Sequence, residues 1–367
     1  MVKSGDLKNK IIPVSKPDLK GNELRYVTDC IKSGWISSKG DYVRKFEERF
    51  AEYHGMKYGI ACSSGTTALF LALKALGIGK NEEDIVIVPE FTMVASAWAV
   101  SYTGAKIIPV DCGEDFNINV DKLERVLQGD NSGRIKAIMP VHIYGRQCDM
   151  DRIMKLAYEY GIRIIEDSCE AHGIKPVGDI ACFSLFANKI ITAGEGGICL
   201  TNDKYFAEQI RHLANMAFDA EHTFLHKKIG YNFRMTNLQA AVALAQMERI
   251  DEILEKRRRI ERWYDKSLKN VSGITILPKR DVVWYYDVLA FERDGLKEYL
   301  SKNEIETRVG FKPMSQQPMY FNEDYQKLLA YKYSLNTLYL PTFTSMTKTE
   351  VDYVCKKIKE YYATGKS

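Results

Sequence analysis

Ile135-Lys136-Ala137-Ile138-Met139-Pro140-Val141, then Met150 to Tyr160 at helical spacing, then Ile162-Arg163-Ile164-Ile165-Glu166-Asp167, is the stretch that decides the fold. Two short runs rich in β-branched residues, separated by one helix-length segment, read as strand, helix, strand. The same rhythm runs upstream. Thr66 to Leu76 is predicted helical, with apolar stations at Ala68, Leu69, Leu71, Ala72, Ala75 and Leu76. Asp84 to Pro89 is a strand, Val94 to Tyr102 a helix, Lys106 to Val110 a strand and Val120 to Leu127 a helix. Such alternation predicts an α/β fold with a large, mainly parallel sheet covered on both faces. Ligands in these sheets lie beyond the carboxyl ends of the strands, where Pro89-Glu90-Phe91, His142-Ile143-Tyr144 and Asp167 fall.

Met235 to Arg259 reads as one long helix opening at Thr236-Asn237, after which the style changes. Strands are expected at Gly273–Pro278 and Trp284–Leu289, and helices at Leu296–Lys302 and Thr349–Tyr362. The expected division is therefore an N-terminal segment and large domain over 1–250 and a smaller C-terminal α/β domain over 251–367. A chain of 367 residues exceeds what one small core usually occupies.

A formal charge of +4 and 27% charged residues give no nucleic-acid footprint, and Arg257-Arg258-Arg259 suits a solvated helix face. The eight cysteines show no C-x-x-C spacing and several sit in apolar runs, so no metal site is expected. Met1-Val2-Lys3-Ser4-Gly5-Asp6 has no apolar signal core, and no run approaches ~18 apolar residues. A reducing cytoplasm, with no membrane partner, is the expectation.

Most lysines are solvated surface charges. Lys189 instead follows Cys182-Phe183-Ser184-Leu185-Phe186-Ala187-Asn188 and leads into Gly194-Glu195-Gly196-Gly197, which argues for an ordered interior position approached by backbone. A lysine after a strand that ends in aspartate is the pairing a pyridoxal phosphate enzyme needs. The amine condenses with the cofactor aldehyde, and Asp167 keeps the ring nitrogen protonated so that the ring accepts electrons. Cys62-Ser63-Ser64-Gly65-Thr66-Thr67-Ala68 lies where a strand gives way to a helix, and its small residues and helix N-terminus suit a phosphate. Simple helix capping explains the same residues. Phe91 suits the face of the pyridine ring or a place in the core. Glu170 suits the ring hydroxyl side or the surface, and Ser184 suits the phosphate or the backbone. Glu166 faces the other side of its strand from Asp167.

The chain resembles the DegT/DnrJ/EryC1/StrS family of nucleotide-sugar aminotransferases. The likeness lies in Ile12-Pro13-Val14-Ser15-Lys16-Pro17-Asp18, Ser33 to Gly40, Ser63 to Leu69, Glu166-Asp167-Ser168-Cys169-Glu170-Ala171-His172-Gly173, Asn188-Lys189 with Gly194 to Gly197, and Gly230 to Ala240. The resemblance implies the aspartate aminotransferase type fold (pyridoxal phosphate fold type I) and homodimers with shared active sites. It implies that Gly65 and Thr66 hold the cofactor phosphate, Phe91 its ring face, Asp167 its nitrogen and Glu170 its O3′ side. Asn232 would reach the neighbouring subunit's phosphate. Phe186 to Gly197 and the acid at Glu170 look closest to the perosamine and viosamine synthase group, which aminates C4 of a nucleotide-linked 4-keto-6-deoxyhexose. L-Glutamate is the expected donor, pyridoxamine phosphate the intermediate cofactor form, and Trp35, Arg234 and Arg308 are candidates for holding the nucleotide. Where the family often has Pro-Met-His, this chain has Pro313-Met314-Ser315. The rivals are a 3-keto-sugar aminotransferase, a pyridoxamine phosphate-dependent sugar dehydratase, whose branch has histidine at the lysine position, and a non-catalytic sensor that keeps the fold.

Overall fold

The computed structural model describes residues 11–218 and 224–363; the N-terminal hexapeptide quoted above lies outside them. Seven strands form the main sheet: β1 (Tyr58–Cys62), β2 (Ile85–Pro89), β3 (Lys106–Val110), β4 (Ile135–Ile138), β5 (Arg163–Asp167), β6 (Ile180–Ser184) and β7 (Gly197–Thr201). Their order is β1-β7-β6-β5-β4-β2-β3. The neighbours from β3 to β6 are parallel, and β7 runs antiparallel to both β6 and β1. This is the mainly parallel α/β sheet that the alternation predicts, with apolar clusters packed on both faces.

The antiparallel step has a functional consequence. Parallel neighbours need a crossover that returns the chain to the opposite end of the sheet, whereas antiparallel neighbours need only a loop. Because β7 runs against β6, the chain turns back at the carboxyl end of β6, and that turn carries Lys189 to the same end as Asp167.

A second sheet is antiparallel throughout: β8 (Ile274–Ile276), β9 (Tyr286–Ala290), β10 (Arg308–Val309) and β11 (Thr337–Leu340), in the order β10-β11-β9-β8. Helices Ile250–Leu268, Arg293–Lys302 and Lys348–Ala363 cover it around Tyr264, Tyr286, Leu296 and Val354. Ile12 joins this second core through a bridge to Ile305, so the chain's first described residues pack against its last third.

Two expectations need correction. The segment Met235–Arg259 is not one helix: Asn237–Met247 ends at Glu248 and Ile250–Leu268 begins after Arg249. Neither glycine nor proline marks the break. Distant contacts set it: Gln246 donates to Asp18 O and Glu23 Oε1, and Arg249 pairs with Asp18 and Glu252. The arginine triplet is not a solvated face either. Arg257 is 2% exposed and donates to the carbonyls of Trp284 and Thr342, while Arg258 pairs with Glu261. Only Arg259 is exposed. Among the described residues, no helix is long and apolar enough to cross a membrane, and no group of side chains is arranged to hold a metal ion.

Candidate active site

Asp167 ends β5 and is held there by backbone bonds from its N–H to Pro140 O and from His142 N–H to its carbonyl. Its carboxylate is buried. Oδ2 accepts from Ser96 Oγ at 2.7 Å, and Oδ1 accepts from the N–H of Cys169 at 3.1 Å. Strand alternation sends Glu166 to the other face, where His142 Nε2 lies 2.9 Å from its Oε2. The two adjacent acids therefore do different work, as their spacing predicts.

Lys189 lies on the turn between β6 and β7. Its N–H donates to Phe186 O, and its Nζ lies 4.0 Å from the centroid of the Trp284 ring. The side chain is half-buried. The glycines after it serve close approach. A Cβ on Gly197 would lie 2.2 Å from Ser64 O, so only glycine lets this turn rest on the backbone leading into helix Gly65–Ala75.

That helix start serves both readings of its sequence. Ser64 is the N-cap: its Oγ accepts from Thr67 N–H, and Thr67 Oγ1 accepts from Ser64 N–H, a capping box. Capping thus takes the side chains of Ser64 and Thr67. Among the described residues, the N–H groups of Gly65 and Thr66 find no acceptor. They stand at the positive end of the helix dipole beside Ser184. A Cβ on Gly65 would lie 2.7 Å from Ser184 Cβ and 2.9 Å from Cys169 Sγ, so this position too is reserved for glycine.

These parts line one cleft of about 750 Å³ at the carboxyl end of the sheet. Of the residues singled out in the sequence, Gly65, Thr66, Asp167, Glu170, Ser184, Lys189 and Arg308 line it. Glu170 is buried and accepts from Tyr144 N–H at 2.9 Å. Burial pushes its carboxyl up to about 7, against the opposing pull of Lys189. The remaining candidates lie elsewhere. Phe91 does not face the cleft: it is fully buried, stacked on Phe116 at 5.0 Å and edge-on to Tyr144 and Phe311. The chain passes Thr92, Met93 and Ala95 to the cleft instead. Trp35 is exposed outside it, and Arg234 binds Asn232 Oδ1 and Asn215 Oδ1 at a separate hollow of about 200 Å³. Asn232 is exposed and also off this cleft. Ser315 is buried too, its hydroxyl and N–H both donating to the Glu90 carboxylate, and it does not line the cleft. A further hollow of about 600 Å³, around Lys80, Lys136 and Arg163, opens at the opposite end of the sheet.

Sequence reasoning missed the wall contributed by the second sheet and the N-terminal segment: Val14, Ser15, Trp284, Tyr285, Glu306 and Tyr339. Val14 and Ser15 lie in a stretch that carried the resemblance. Trp284-Tyr285 precedes a strand and gave no sign of pointing at Lys189. The donor set fits pyridoxal phosphate: one amine, one carboxylate held by two donors, and two unpaired N–H groups at a helix start with a serine beside them.

The profile of the DegT/DnrJ/EryC1/StrS aminotransferase family matches residues 17–359. The GDP-perosamine synthase of Escherichia coli O157:H7 is 41% identical over 369 residues, covering 96% of this chain and 99% of that protein. The GDP-perosamine synthase of Caulobacter vibrioides is 41% identical over 362 residues, covering 94% and 96%. Among solved structures, the PLP form of Spr1654 from Streptococcus pneumoniae superposes with a TM-score of 0.88 at 26% identity, covering 96% of this chain and 99% of that one. Its PMP form gives a TM-score of 0.89. A lysine and an aspartate brought to one cleft by the reversal at β7, on a chain that matches the profile over nearly its full length, leave one reading: the chain belongs to the DegT/DnrJ/EryC1/StrS aminotransferase family and is a pyridoxal phosphate-dependent aminotransferase.

Proposed function

We propose that the chain moves the amino group of L-glutamate to C4 of a GDP-linked 4-keto-6-deoxyhexose, giving a GDP-4-amino-4,6-dideoxyhexose of the perosamine type. The observation that carries this reading is the 41% identity to GDP-perosamine synthases across almost the whole chain, combined with an intact Lys189–Asp167 cleft.

Pyridoxal phosphate, when bound, would supply an electron-accepting ring and a carbonyl that exchanges amines. The chain supplies the rest. Lys189 holds the cofactor and, once released, moves the proton at the donor Cα. Asp167, fixed by Ser96 and the Cys169 N–H, presents a carboxylate to the ring nitrogen. Gly65, Thr66 and Ser184 take the phosphate, and Glu170 the O3′ side. Arg308, at the cleft rim, is the cation for substrate phosphate or carboxylate. Asn232 is exposed off its own cleft, which suits a residue completing the site of a second copy in a homodimer. We carry Trp35 and Arg234 to the same shared side. The ring-face role expected of Phe91 is not proposed, because Phe91 is enclosed in the core.

We place the domain division at residues 250 and 251, in the first turn of helix Ile250–Leu268. All eight cysteines are unpaired and seven are buried, which supports a reducing cytoplasm as the working compartment. The test is incubation with pyridoxal phosphate, L-glutamate and GDP-4-keto-6-deoxymannose, alongside UDP- and dTDP-linked 4-keto sugars and 3-keto sugars. A 4-amino sugar with matching 2-oxoglutarate from the GDP substrate is expected. Turnover confined to a 3-keto or UDP-linked substrate would refute the proposal.

A further inference from the structure

Trp284 is 4% exposed, lines the cleft and comes from the second sheet's side of the chain, yet two contacts tie it to the turn of Lys189 and a third anchors its backbone. Its ring centroid lies 4.0 Å from Lys189 Nζ. Its Nε1–H donates to the carbonyl of Asn188, the residue before the lysine, at 2.9 Å. Its own carbonyl accepts from buried Arg257 Nη1 at 2.7 Å. Arg257 therefore anchors the backbone of Trp284, and the carbonyl of the lysine's own turn anchors its ring.

From this geometry we propose that Trp284 is a positioning residue for Lys189, its indole face being the seat that receives the amine whenever the amine is not bonded to the cofactor. The inference rests on Lys189 being the cofactor lysine. A lysine that alternates between holding a cofactor and moving a proton must stay near the reacting carbon after release. Its four-carbon stem gives it many other rotamers, most of them unproductive. An aromatic face within about 6 Å attracts an ammonium through the ring quadrupole, and the attraction is larger where water is excluded. Asn188 Oδ1, buried and without a partner, leaves this turn no side-chain anchor of its own at that atom. The indole N–H on the Asn188 carbonyl supplies one.

The experiment uses the cofactor-free protein and needs no turnover. All four tryptophans are replaced biosynthetically by mono-, di- and trifluorotryptophan, which drain the ring quadrupole while keeping its shape. Lys189 is then labelled with acetic anhydride, and its rate is measured by peptide mass spectrometry against the other lysines. The rate is expected to rise stepwise with fluorine number, by about threefold to tenfold across the series. A flat series overturns the proposal. In parallel, Trp284→Leu is expected to slow the glutamate half-reaction about tenfold with glutamate affinity within about twofold, and Trp284→Phe to restore it to within about threefold. Equal loss in both variants overturns the role of the ring face. A failure of Lys189 to bind the cofactor at all appears separately, as no visible band in the unsubstituted protein.

Discussion

Ser96 and Asp167 are joined by a 2.7 Å hydrogen bond in which the hydroxyl donates to Oδ2, and both are buried. Thr92 Oγ1, 3.2 Å from Ser96 Oγ, donates to the same hydroxyl and so aims it at the carboxylate. Helix Ala95–Ser101 thereby fixes the acid at the end of β5 from a neighbouring connection. Ser96→Ala leaves a buried carboxylate one donor short. The expected cost is about 1.5–3 kcal/mol of stability, read from urea unfolding, with a severalfold loss of cofactor affinity. Unchanged cofactor affinity would mean that the bond does not hold Asp167 for its role.

Gly197→Ala tests the approach of the lysine turn to the turn that opens helix Gly65–Ala75. The new Cβ would lie 2.2 Å from Ser64 O and 2.8 Å from Gly65 N, and neither is a flexible side chain. One backbone must move, at about 1–3 kcal/mol. Cofactor affinity, measured by titrating the visible band, is expected to fall at least about tenfold. A change in stability with unchanged affinity would separate the two turns.

Glu170 gives the cofactor-free protein a pH signature. Burial raises its carboxyl from 4.5 to about 7, so between those values the folded chain binds a proton that the unfolded chain has released. The contribution is full below pH 4.5 and is lost as pH rises to about 7. His54 acts in the opposite sense: burial lowers it from 6.5 to about 4, so its contribution is lost as pH falls through that window. The difference between Glu170→Gln and the parent protein isolates the first effect. The variant is expected to gain relative stability, on the order of 2–3 kcal/mol, as pH rises from about 4.5 to about 7. A pH-independent difference would contradict the burial argument.

Ser315 occupies a buried slot against Glu90 and does not line the cleft of Lys189 and Asp167. Ser315→Ala is expected to lower stability by about 1–3 kcal/mol while leaving the KM for the nucleotide sugar within about twofold. Ser315→His, which restores the residue often found in the family, is expected to destabilise more, because an imidazole overfills the slot. A selective change in sugar preference in either variant would place Ser315 at the substrate after all.

The parts of the site legible in the sequence were those defined by local chain chemistry. Asp167 at a strand end, the small residues before helix Gly65–Ala75 and the glycines after Lys189 each carry their geometry in their own neighbourhood. Phe91 was misplaced because a strand end sets where the backbone goes, not which way an aromatic ring turns. Here the ring turns into the core against Phe116, Tyr144 and Phe311. Trp284 and Tyr339 were missed because they reach the cleft from the side of the other sheet, and no local pattern encodes that meeting. The break at Glu248-Arg249 was hidden for the same reason: its cause lies at Asp18 and Glu23.

The account turns on Lys189 as the residue that holds the cofactor. The most direct measurement is borohydride reduction of the pyridoxal phosphate-loaded protein, followed by peptide mass spectrometry, with Lys189→Ala treated in parallel. The predicted result is a cofactor adduct on the peptide carrying Lys189 in the parent protein and none in the variant. An adduct on another lysine, or normal turnover by Lys189→Ala, would contradict it.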